Sequence, residues 1–367
     1  MLRSRFLALP LVLFVYASFC YSMTNVKKEE FGKMPDGRPV EIFSLKDGAI
    51  EARITTYGAR LVSLLAPDRQ GKTADIVLGF ESADGYLKDT SSFGAIVGRY
   101  AGRIANGTFT LDGHAYQLPK NDGNNTLHGG PENFGKQLWT GKEIPNGVKL
   151  TYVSQDGEAG FPGTLTTTVR YTLSGHDLKI EYNATTDKNT VLNLTNHTYW
   201  NLAGEGTGEI LKQQVKINAA QVVPVNAGLI PTGQVDPVAG TPFDFRKLTP
   251  IGKNIDTTND QLKYGIGYDI SYVLDNSGKF VYAAEAYDPA SGRGLEVLTD
   301  QPAMHFYTGN HMDGAIGKGG HKYAFRNAYC FEAQHYPDSP NEPKFPTTEL
   351  KPGEKFHSVT VYRFTTH

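Results

Sequence analysis

Short apolar runs with a period of two recur along this chain, and that spacing is the strongest constraint on its fold. In DLKIEYN, Leu178, Ile180 and Tyr182 alternate with polar residues, and in FHSVTVYRF, Val359 and Val361 do the same. Similar runs stand in GVKLTYVSQ, TLTTTVRYTL, QQVKINAAQVV, FVYAAEAY and LEVLTD. A spacing of two lines up side chains on one face of a strand, whereas a helix face needs three or four. Clusters of Gly, Asn, Asp and Pro punctuate the runs, and no helical segments of about 10–15 residues lie between them. Gly (40) and Pro (20) exceed the roughly 12% of an average protein, and Tyr (20) and Phe (19) favour strands. The pattern predicts an all-β fold, an antiparallel sandwich or barrel, and excludes a βαβ sheet, a helical bundle and a coiled coil. With no linker, charge block or break in composition, residues 25–367 read as a single domain.

The first 22 residues follow a different logic. Arg3 and Arg5 precede an uncharged run from Phe6 to Phe19, and small residues follow. That is the layout of a secretory signal, and about 14 residues fall short of the roughly 20 needed to span a bilayer. The protein is expected to be secreted or periplasmic, with no stable membrane insertion once the signal is removed. Translation from Met23 would give a cytoplasmic protein instead. Of the two cysteines, Cys20 lies in this segment, so Cys330 would remain alone, without a disulfide or a cysteine zinc site. Lys plus Arg total 36 against 38 Asp plus Glu, a formal charge of −2, which offers no field for nucleic acid.

Several motifs are missing: there is no P-loop, no dinucleotide fingerprint, no G-x-S-x-G elbow and no H-E-x-x-H. No histidines fall at metal-ligand spacing. The sequence therefore implies neither cofactor nor metal. What remains is polar residues in unusual places. In NNTLHGG, His128 precedes two glycines, on a turn where backbone can approach a ligand. In LTNHTYWNL, Asn196, His197 and Asn201 sit among apolar and aromatic neighbours and need partners, a ligand being one candidate. In CFEAQHYPDSPN, Glu332 and Gln334 share a strand face. A carboxylate in half-buried surroundings suits a general acid or base.

Eight ordered segments from about Gly32 to Phe364 resemble the aldose 1-epimerase (galactose mutarotase) family. They are FGAIVGRYAGRIANGTF, NNTLHGG, LTNHTYWNL, LIPTG, TPFDFR, GYDISYVL, QPAMHFYTGN and FEAQHYPDSPNEPKFPTTELKPGE. The resemblance implies a large antiparallel β-sandwich and an isomerase that interconverts the α and β anomers of free aldoses such as galactose and glucose. It implies Glu332 as the base, His197 as the acid and His128 as a second histidine near the ring oxygen. Arg103 and Asp269 are implied to bind sugar hydroxyls, with Asn196 and His305 beside them. A small sugar is the expected partner, and the oligomeric state is expected to be monomer or homodimer.

Three departures from the family pattern fall in the implied sugar-reading positions. Gly102 stands where many relatives have Asn before the arginine. Ile270-Ser271 replaces a His-Asn pair after Asp269, and His305 stands where several relatives place a Gln. Two other readings compete: a non-catalytic sugar-binding module, and a glycoside hydrolase, for which Glu332 and Asp269 would have to serve as the two carboxylates. A branch acting on hexose phosphates would need a basic cluster, for which Arg99 beside Arg103 is the sole candidate.

Overall fold

The structure is a computed structural model that describes residues 24–88 and 90–367; the expected signal segment, residues 1–22, lies outside them. Nearly every regular element is a strand in an antiparallel pair. The largest sheet has nine strands, in the order Thr140–Ile144, Gly147–Ser154, Leu165–Ser174, Asp177–Thr186, Phe356–Thr366, Arg293–Thr299, Val281–Tyr287, Gln214–Ile217 and Thr249–Pro250. Its central hairpin shows how the alternation works. Leu165–Ser174 and Asp177–Thr186 are joined by Gly175-His176, with Gly175 at φ 57°. Their register sets Val169 opposite Tyr182, Tyr171 opposite Ile180 and Leu173 opposite Leu178. These six are buried while the residues between them are exposed or half-buried. One face is core and the other solvent.

Two five-stranded sheets pack onto this frame. The first comprises Asn25–Lys33, Pro39–Asp47, Ile50–Thr55, Leu61–Pro67 and Thr73–Asp75 in chain order. The second runs Asp236–Pro237, Gln221–Val223, Asp269–Val273, Ala303–Tyr307 and Cys330–Gln334. Phe43 and Ile54 from the first, Ile270, Phe306 and Phe331 from the second, and Tyr171, Val297 and Tyr362 from the nine-stranded sheet share one apolar cluster. Fully burying each such side chain is worth roughly 1.5–3 kcal/mol. Tyr362 ties the second sheet to the frame by donating its hydroxyl to the Phe331 carbonyl at 3.2 Å. Two short helices, Ala83–Lys88 and Asp260–Gly265, are the only α-helices among the described residues, and neither is long and apolar enough to cross a membrane.

The segment LTNHTYWNL forms only a three-residue strand, Thr195–His197, although Leu192–Leu202 is buried without a break. Both of its faces are covered, so period two is absent where burial is greatest.

Candidate active site

One face of the second five-stranded sheet is left open, and pleating decides which side chains it carries. The register places Val223, Ser271, His305 and Glu332 in a row across four strands. Two residues along, Asp269, Tyr307 and Cys330 form the next row. Because side chains alternate, Asp269, Ser271, His305, Tyr307, Glu332 and Gln334 stand on one face while Ile270, Phe306 and Phe331 enter the core on the other. Opposite this floor, Thr195–His197 pairs with Ala95–Val97, and Arg103–Ile104 pairs with Thr126–Leu127, so that His128 begins the turn that follows. The walls enclose a cavity of about 520 Å³ lined by Arg103, His128, His197, Asp269, His305 and Glu332, among others.

Glu332 is 2% exposed and its Oε1 lies 3.5 Å from Nε2 of His197. Its Oε2 is buried without a hydrogen-bond partner among the described residues. A buried carboxylate oxygen left unmatched is costly unless something else occupies the site. His197 stacks on Tyr199, with ring centroids 5.0 Å apart, and its Nδ1 is 3.4 Å from the Cys330 thiol. Burial pulls the His197 imidazole below its ordinary pKa, and the charge of Glu332 opposes that pull.

His128 is held by a reciprocal pair of backbone contacts. Its N–H donates to the Gly102 carbonyl at 3.0 Å, and its Nδ1 accepts from the Gly102 N–H at 3.2 Å. The neutral ring must then carry its proton on Nε2. Burial keeps it neutral, holding its pKa well below the usual value, and His197 and Arg103 add to the effect. The geometry requires an uncommon backbone, with His128 at φ 55°.

Arg103 donates from Nε to Oδ2 of Asp122 at 2.6 Å, which leaves its two terminal nitrogens for the cavity. Across the pocket, Nε2 of His305 meets Oδ1 of Asp269 at 2.8 Å and its Nδ1 meets Oγ of Ser271 at 2.9 Å. Burial pushes the Asp269 carboxyl up, but the hydrogen bond and charge of His305, with help from Arg103, outweigh it and hold the group at about 2. The same pair raises His305 above its ordinary value against the pull of burial.

Six of the seven residues that the resemblance implied for the site thus converge on one cavity. Asn196 does not. Its side chain points away from the pocket, donating to the Gly94 carbonyl at 2.9 Å and contacting the Tyr171 hydroxyl, because neighbouring positions on a strand face opposite ways. Arg99 also turns away, with its guanidinium buried against the carbonyls of Pro162 and Gly163, so it builds no basic cluster with Arg103. The first glycine after His128 serves the protein's own backbone: a Cβ on Gly129 would lie 2.4 Å from the Gly98 carbonyl oxygen. Gly102 is at φ +79°, where a Cβ would lie 2.9 Å from Pro337. Sequence reasoning missed Asp122, which reads as the Asp of an Asp-Gly turn, and only the pairing of its loop beside Arg103 reveals it.

The match to a family model described as aldose 1-epimerase runs over residues 41–363, nearly the whole length. This chain belongs to the aldose 1-epimerase family. It is 44% identical to galactose mutarotase of Bos taurus over 93% of this chain and 99% of that protein. Identity to the aldose 1-epimerase of Escherichia coli K12 is 38%, over 90% and 96% of the two chains. Among solved structures, a galactose 1-epimerase from Lactobacillus acidophilus NCFM superposes with a TM-score of 0.81 at 28% identity, covering 94% of this chain and 99% of that one. An aldose epimerase homologue from C. elegans gives a TM-score of 0.78 at 32% identity, over 87% and 96%. The protein is accordingly an isomerase of the epimerase class, and the galactose mutarotase sandwich is its fold.

Proposed function

We propose that this aldose 1-epimerase interconverts the α and β anomers of free galactose and glucose by paired proton transfers between Glu332 and His197. The supporting observation is the pair itself: two buried groups 3.5 Å apart, facing one cavity, with Oε2 of Glu332 unmatched. In ring opening, Glu332 takes the proton of the C1 hydroxyl, the electron pair left on that oxygen forms the carbonyl, the C1–ring-oxygen bond breaks with its electrons leaving on the ring oxygen, and protonated His197 delivers a proton to it. Rotation about C1–C2 exposes the other carbonyl face. Closure reverses the roles, so the active pair always holds one proton between its two members.

The neighbours fit the same chemistry. The fixed Nε2–H of His128 is a donor for charge building on oxygen, and the terminal nitrogens of Arg103 suit adjacent hydroxyls. A hydrolase would ask Asp269 or Glu332 to act as a protonated acid beside a second carboxylate. Asp269 is held at about 2 and already engaged by His305, which disfavours that reading.

Polarimetry of freshly dissolved α-D-galactose and α-D-glucose tests the proposal. Wild type should speed the approach to anomeric equilibrium, and Glu332→Gln should not. Acceleration that survives the substitution would remove Glu332 from the mechanism, and sugar binding without acceleration would make the chain a binding module.

A further inference from the structure

Asp269, His305 and Ser271 form a continuous hydrogen-bonded chain on the cavity floor, at two of the positions where this sequence departs from its family's pattern. The donor and acceptor roles along it follow from valence. Ionised Asp269 can only accept, so Nε2 of His305 carries a proton in either ionisation state. When His305 is neutral, its Nδ1 is a bare lone pair, and the Ser271 hydroxyl must donate to it. Ser271 then offers the cavity only lone pairs. When His305 is protonated, Nδ1–H donates to Oγ, and the Ser271 hydroxyl proton turns toward the cavity.

We propose that His305 is a positioning residue that sets whether Ser271 donates to or accepts from a sugar hydroxyl, making sugar recognition at the Asp269–Ser271 edge dependent on pH. With His305 protonated, one hydroxyl can donate to Asp269 and accept from Ser271, a matched pair. With His305 neutral, both protein groups are acceptors, and a single hydroxyl has one proton for two lone pairs. The inference rests on the cavity being a sugar site, as proposed above.

The surroundings of His305 favour its charged form. Asp269 faces it from one neighbouring strand and Glu332, directly opposite in register, from the other. Against them stand Arg103 on the wall, His128, held neutral by burial, and His197, whose imidazole burial pulls below its ordinary pKa while Glu332 opposes that pull. The two carboxylates outweigh the arginine, and the pKa of His305 is raised.

The test compares KM and kcat for galactose between pH 5.5 and 9 in wild type, His305→Gln and Ser271→Ala, with His305 titrated by NMR. In wild type, KM should rise about five- to tenfold as pH passes the His305 midpoint, the loss of one hydrogen bond. Ser271→Ala should flatten that rise while the NMR titration of His305 persists. His305→Gln, whose amide cannot change charge, should flatten it too. A KM rise that survives in Ser271→Ala, or a flat wild-type profile across the NMR midpoint, overturns the proposal. If no aldose is turned over, galactose affinity by calorimetry at pH 5.5 and 9 replaces KM. A pH-dependent affinity abolished in Ser271→Ala would then uphold the relay while the catalytic reading fails, and a pH-independent one would overturn it.

Discussion

The cavity holds two carboxylate–histidine pairs that differ in almost every respect. Glu332 and His197 are 3.5 Å apart, and one carboxylate oxygen has no hydrogen-bond partner among the described residues. Asp269 and His305 are 2.8 Å apart, and His305 is engaged at both nitrogens. The first pair is open, with a free valence that a substrate proton can use. The second is closed, with its imidazole pinned between a strong acceptor and a hydroxyl. Both carboxylates rest on the same sheet face, so the difference arises from neighbours. His197 reaches Glu332 from a separate strand on the wall, whereas His305 and Asp269 lie on adjacent strands in diagonal contact. Proton traffic belongs to the loose pair and positioning to the tight one.

The largest expected effect tests the open pair. Glu332→Gln keeps the shape but removes the base, and kcat should fall roughly 10²- to 10⁴-fold with KM little changed. His197→Asn should do the same from the acid side. Because the two act as one unit, the double variant should lose much less than the product of the single losses. A multiplicative double loss would mean that the residues act independently.

The closed pair should respond in a different parameter. Asp269→Asn removes an acceptor for sugar and the anchor of His305, and KM should rise roughly 10- to 100-fold, since hydrogen bonds to charged groups contribute about 1.5–3 kcal/mol. A loss confined to kcat would instead place Asp269 with the catalytic pair.

Stability against pH separates the pairs without any substrate. Asp269 is lowered from 3.8 to about 2, so its contribution is complete above 3.8 and lost as pH falls toward 2. That shift corresponds to about 2 kcal/mol. His305 is raised above 6.5, so its contribution is complete below 6.5 and lost as pH rises through its folded value. The wild type should therefore gain most from the pair between about pH 4 and 6.5. Thermal melts across that range should show the plateau, and Asp269→Asn should flatten both limbs.

How far the sequence revealed these features depends on the kind of contact involved. The strands were legible because alternation is a local property: the hairpin Leu165–Ser174 and Asp177–Thr186 displays its register in its own letters. Glu332, His197, His128, Arg103, Asp269 and His305 were legible through the resemblance, since each stands in an ordered motif. Asn196 misled because motif membership does not say which way a side chain faces, and in a strand buried on both sides no polar alternation marks the open face. Ser271 showed up only as a departure from the family pattern. Its bond to His305 joins residues 34 positions apart and depends on strand pairing. Asp122 lies in a polar loop where a turn already accounts for it.

Asp122 supplies the finest test of how the site is held. Its carboxylate takes the Nε proton of Arg103, fixing the plane of the guanidinium while the terminal nitrogens face the cavity. The Arg103 side chain is 13% exposed and that of Asp122 34%, so the contact is partly screened and modest in energy. Asp122→Asn preserves the shape and a neutral acceptor, and KM should rise only about two- to fivefold with kcat unchanged. Arg103→Ala should raise the same parameter by more, because it removes the fork rather than its support. In an Arg103→Ala background, Asp122→Asn should then have no further effect on KM. A residual effect in that double variant would mean that Asp122 touches sugar directly, making the Arg103 side of the cavity a second closed acid–base pair rather than a braced donor.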